Sequence, residues 1–128
     1  MDYKIGKSSK DDLNEAISEA TIGFKSPELI IFFSNVEYFE VYTEKMKDKF
    51  KNSIILGATT FAGFCRDGAY KDSLLVMGIE NGIECYGDVL EEVDRYPLKY
   101  VNRITECVNK FHNTTNTVCF EISTALIS

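Results

Sequence analysis

The residues best suited to chemistry in this chain are small and polar: Ser34-Asn35, Gly57 with Thr59 and Thr60, Gly63, and Ser123-Thr124. Glycine lets another group come close to the backbone, while hydroxyl and amide side chains both donate and accept hydrogen bonds. Such a set suits the binding of a small polar molecule. Arg66 follows closely, and its guanidinium matches the two oxygens of a carboxylate. Phe61, with Phe64 and Tyr70, would supply an apolar wall. Without a ligand, the serines would serve as helix caps and the stretch Gly57 to Gly63 as a turn.

Other chemistries find weaker support. Cys65 beside Arg66 has surroundings that lower a thiol pKa, which keeps a thiol hydrolase among the alternatives, but no base or oxyanion arrangement accompanies it. His112, the only histidine, falls at the end of a helical pattern, where a protonated imidazole suits the dipole. "IGKS" at Ile5 to Ser8 imitates the end of a phosphate loop without its first glycine or a preceding strand. "DVLEEVD" lacks the glycine and alternating ligands of a calcium loop. Cys65, Cys85, Cys107 and Cys119 match no paired metal or redox spacing and read as reduced, structural residues. The reading is therefore of a non-enzymatic chain with no catalytic residues, metal or cofactor.

The elements that must position the polar residues follow from periodicity. Tyr3 to Ile5 reads as a strand. Ser9 and Asp12 form a cap before a helix with Leu13, Ala16, Ile17, Ala20 and Phe24 on one face, closed by Gly23 and Pro27. "ELIIFFS" is a strand covered on both faces, "SNVE" has capping-box spacing, and Phe39, Tyr42, Met46 and Phe50 form the stripe of a second helix. "SIILGA" is a third strand, breaking at Gly57 into the loop. Asn81-Gly82 signals a hairpin between "DSLLVMGIE" and "IECYGDVLEEV". Pro97 opens a third helix with Val101, Ile104, Val108 and Phe111 on one side, and Thr117 to Thr124 reads as a last strand. The expected fold is α/β: a mixed, mainly parallel sheet with helices on its faces and an antiparallel hairpin. Ligands of open α/β sheets sit at the carboxyl ends of the strands, where Ser34, Thr59 and Ser123 fall.

Composition narrows the partners. The chain has 128 residues and net charge -6, with no clustered lysine and arginine, which argues against nucleic acid and against an anionic membrane surface. The longest apolar run, Leu29 to Phe33, is far short of the ~20 residues of a membrane span, and no signal-peptide pattern opens the chain, so a cytoplasmic location is expected.

The stretches "DLNEAISEA", "LIIFFSNVEY", "ILGATTFAGF" with "DGAYKDSLLVMGI", and "VCFEISTAL" occur in an order and spacing that resembles the N-terminal FIST domain, over nearly the whole chain. In that resemblance Gly57, Thr59 and Gly63 match the loop's glycine, hydroxyl residue and second glycine. Ala58 and Phe64 depart from the family's usual cysteine and acidic residue, which removes a polar role at those two positions. The resemblance implies a bacterial or archaeal sensory domain for signal transduction, such as the sensor of a methyl-accepting chemotaxis protein, binding a small ligand such as an amino acid. It also implies that residues 1–128 are the N-terminal part of a longer chain, followed by a second FIST domain and an output signalling domain. The alternative is a docking module with no small ligand of its own.

Overall fold

In the computed structural model, residues 1–59, 62–65, 68–71, 74–90, 95, 97–111 and 117–122 are described, with backbone alone at 62–65, 68–71 and 97. The chain separates into two compact units, Met1–Cys85 and Tyr86–Ser128. The candidate residues Thr60, Phe61, Arg66, Ser123 and Thr124, and His112 with them, lie outside the described residues.

The first unit is built on β1 (Asp2–Ser8), α1 (Leu13–Ala20), β2 (Leu29–Ser34), α2 (Phe39–Lys49), β3 (Ile54–Thr59), β4 (Ala62–Cys65), β5 (Gly68–Lys71) and β6 (Leu74–Glu80). Four strands form one sheet in the order β1-β6-β2-β3. β2 and β3 pair in parallel, in register from Leu29 with Ile54 to Ser34 with Thr59. β6 is antiparallel to both β1 and β2, so β1, β2 and β3 all run the same way, with β6 inserted between the first two. The fold is therefore α/β with a mixed sheet. Only one of its three strand pairings is parallel, which corrects the expectation of a mainly parallel sheet.

Both helices cover one face of that sheet. A right-handed crossover from β1 to β2 and another from β2 to β3 advance in the same direction, so their helices land on the same side. The core lies between: Ala16, Ile17 and Ala20 of α1, Tyr42, Met46 and Phe50 around α2, and Ile30, Phe32, Leu74 and Val76 of the sheet. Ile30, Phe32 and Met46 are fully buried, and such burial stabilises by ~1.5–3 kcal/mol per large apolar side chain. Two amine contacts tie the helices together, Lys45 Nζ to Asn14 Oδ1 at 2.7 Å and Lys49 Nζ to Thr21 Oγ1 at 2.8 Å. At the far end, the buried Glu80 carboxylate accepts from the Lys25 backbone N–H at 2.7 Å and fixes the turn that leads into β2.

Local expectations need revision at five places. The cap of α1 is Asp12 rather than Ser9: its carboxylate accepts from Glu15 N–H at 3.0 Å, because the chain leaves β1 three residues later than the pattern implied. Ser34 caps no helix, since a turn over 36–38 intervenes and α2 starts at Phe39 with no side-chain cap. β3 does not break at Gly57 but continues to Thr59. Asn81 and Gly82 do adopt positive φ, 60° and 76°, yet residues 83–90 form no strand, and the antiparallel hairpin is β4 with β5 instead. Finally, Thr117 to Ile122 form no strand, and all six are exposed.

The second unit holds α3 (Pro97–Asn109), with proline at the first helical position as its missing N–H allows. The Asp88 carboxylate accepts from Arg103 Nε at 3.0 Å and from Val89 N–H at 2.8 Å. Tyr86 meets Phe111 edge-on, with ring centroids 5.0 Å apart. Of the apolar stripe on α3, Val101, Ile104 and Val108 remain exposed.

Candidate ligand site at the carboxyl edge of the sheet

Because β1, β2 and β3 run the same way, their carboxyl ends share one edge. Those ends are Ser8, Ser34 and Thr59. Side chains alternate across a strand, so the register decides which face each takes. Ser34 pairs with Thr59, two residues beyond the pair Phe32 and Gly57, and Ser8 pairs with Leu74, two residues beyond Gly6 and Val76. Phe32, Val76 and Leu74 belong to the core beneath the helices. All three hydroxyls therefore lie on the helix-covered face, at the mouth of the layer between sheet and helices.

Burial grades along this row. Ser8 is 3% exposed and Ser34 fully buried, while Thr59 on the edge strand is open to solvent. Ser8 Oγ accepts from Lys10 N–H at 3.2 Å, and Ser34 Oγ donates to the Asn35 carbonyl at 3.0 Å. One residue beyond Ser34, Asn35 Oδ1 is buried without a hydrogen-bond partner among the described residues. An unsatisfied buried acceptor costs ~1–3 kcal/mol.

The loops above the row carry negative charge. Asp11 and Asp12 lie between β1 and α1, and Glu37 between β2 and α2. The Tyr38 hydroxyl bonds the Glu37 carboxylate, and together with the nearby Asp11 charge this holds its phenol above the ordinary tyrosine value. Lys10 pairs with Glu19 at 3.5 Å, which offsets its charge.

The sequence-predicted residues divide accordingly. Ser34, Asn35 and Thr59 come together at the edge. Gly57 lies inside β3, two residues below it, and the space a side chain would fill there is taken by the Phe32 ring. Gly63 lies in β4, opposite Tyr70 in the separate two-stranded sheet. The proposed apolar wall, the guanidinium of Arg66 and the Ser123-Thr124 end fall outside the described side chains, as does the Cys65 thiol. Ser8 is the functional candidate that sequence reasoning missed. Its signal lies in the sequence, since "YKIGKS" ends in serine as "LIIFFS" does, but the same residues imitate the end of a phosphate loop, which masks the strand end.

Searched against family models, curated proteins and solved structures, the chain finds no match in any of the three.

Proposed function

We propose that the chain is a cytoplasmic sensory domain that binds a small polar molecule, such as an amino acid, at the carboxyl edge of its sheet. The observation that carries this reading is the pair Ser34 and Thr59, register partners on adjacent parallel strands, followed directly in the chain by Asn35, whose buried Oδ1 has no hydrogen-bond partner among the described residues. Buried polar groups are normally satisfied, so an acceptor that lacks a partner among the described residues, one position beyond Ser34, supports a polar ligand at this edge. Sensing needs a pocket and a coupling surface rather than a nucleophile and base, in keeping with the FIST resemblance and with a role ahead of an output domain in a chemotaxis-type protein. Among the described residues no helix is long and apolar enough to cross a membrane, which is compatible with this setting.

Thermal unfolding of the chain against a panel of amino acids and small metabolites tests the reading. Ligand at a hundred times Kd stabilises by about 2.7 kcal/mol, which moves the midpoint by several degrees. A specific shift that Thr59→Val abolishes is the expected result. No shift with any compound would contradict it.

The docking module remains as a second reading because of one feature. Ile5, on the sheet face opposite the helices, is 49% exposed. That reading expects a chain indifferent to every compound but with measurable affinity for the domain that follows it in a longer protein.

A further inference from the structure

We propose that Asn81 is a site of spontaneous deamidation, where the reaction sets a new carboxylate against Asp2 and loosens the first rung between β1 and β6. The site lies at the opposite edge of the sheet from the candidate ligand site and is independent of it.

The reaction needs a side-chain amide, an unhindered backbone nitrogen one residue later, and water. Asn81 is the only asparagine of the chain that glycine follows. Glycine has no Cβ to shield its nitrogen. A side chain built on Gly82 would meet only the Met1 nitrogen, at 4.0 Å, so the space around it is open. Both residues are exposed, with φ of 60° and 76°. The Gly82 N–H donates to none of the described residues, so no ladder holds the nucleophile. In the first step the Gly82 nitrogen loses its proton and bonds the side-chain carbonyl carbon of Asn81. The amide C–N bond breaks, ammonia leaves with that proton, and a cyclic imide closes. Water then adds to one imide carbonyl and opens the ring, giving aspartate or its isomer with the main chain routed through the side chain.

The consequence follows from what the amide holds. Asn81 Nδ2 donates to Asp2 Oδ2 at 2.7 Å. Conversion removes that donor and puts an acceptor-only carboxylate in its place. Asp2 already stands opposite Glu80 in the ladder, and like charges facing one another weaken an antiparallel pair. Asp2 is also the first residue of β1, an edge strand that pairs with β6 alone among the described strands. A third acidic group therefore acts where the sheet is least held, and no step restores the amide.

Peptide mass mapping of the full chain during prolonged incubation at neutral pH tests the site. Conversion at Asn81 should run about tenfold or more faster than at Asn14, Asn52, Asn102 or Asn109, whose next residues all carry side chains. Equal rates at these positions, or no conversion at Asn81, would overturn the assignment. Thermal unfolding of Asn81→Asp reads the consequence. Its midpoint should be lower than that of the unaltered chain, and Asp2→Asn in the same chain should recover most of the loss. A midpoint that Asn81→Asp leaves unchanged, or that Asp2→Asn does not recover, would overturn the coupling to β1.

Discussion

Gly57 of β3 and Phe32 of β2 are register partners, and the Phe32 ring occupies the space where a side chain on Gly57 would begin. The same ring stacks on Phe39 of α2 at 5.5 Å between centroids and is fully buried. One missing side chain thus lets an aromatic ring lie flat between sheet and helix, directly below the Ser34 and Thr59 pair.

Gly57→Ala should accordingly overpack the core. A destabilisation of ~1–3 kcal/mol is expected, since the ring is confined by Phe39 and cannot move aside freely. Denaturant unfolding of the ligand-free chain reads it. A neutral substitution would mean that the ring is not held there.

Asp12→Ala should cost ~1 kcal/mol through loss of the α1 cap, whereas Ser9→Ala should cost little. Urea midpoints of the two variants decide between them, and the reverse order would restore Ser9 as the cap. The pair illustrates how far the sequence carries. The cap chemistry was legible, but its position depended on where β1 ends, and Lys7 and Ser8 remain in the ladder because β6 pairs with them. That pairing spans some seventy residues and leaves no trace in local periodicity.

Asn35→Leu should raise the stability of the ligand-free chain by ~1 kcal/mol, because it removes a buried acceptor that lacks a partner among the described residues. Thermal unfolding measures it. A lower midpoint would show that Asn35 Oδ1 is satisfied in the folded chain and is a structural group.

Tyr42 should set an alkaline limit. Burial is the main cause that lifts its phenol above the ordinary value of 10.0, with the neighbouring Tyr38 adding to it. A group whose folded pKa is raised contributes stability below its unfolded pKa and loses it as pH rises past that value. Stability should therefore fall above about pH 10, and Tyr42→Phe should flatten that decline. An unchanged pH profile in the variant would assign the decline elsewhere.

How much was legible follows physical range. The apolar run of β2, the stripe Tyr42, Met46 and Phe50, and the parallel pairing of β2 with β3 across α2 were all readable, because each rests on local periodicity and a short crossover. Ser34 and Thr59 as neighbours followed from that. The insertion of β6 between β1 and β2 did not, and Ser8 was missed with it. Asn81-Gly82 produced its turn, but turn chemistry fixes φ and does not ensure that the following residues find a strand to pair with.

The central claim is that a small molecule binds where β1, β2 and β3 end. Its most direct test is amide chemical-shift mapping of the isotope-labelled chain, titrated with the compound that shifts its unfolding midpoint most. The account predicts saturable shifts centred on Ser8, Ser34, Asn35 and Thr59. Shifts confined to other residues, or none that saturate, would contradict it.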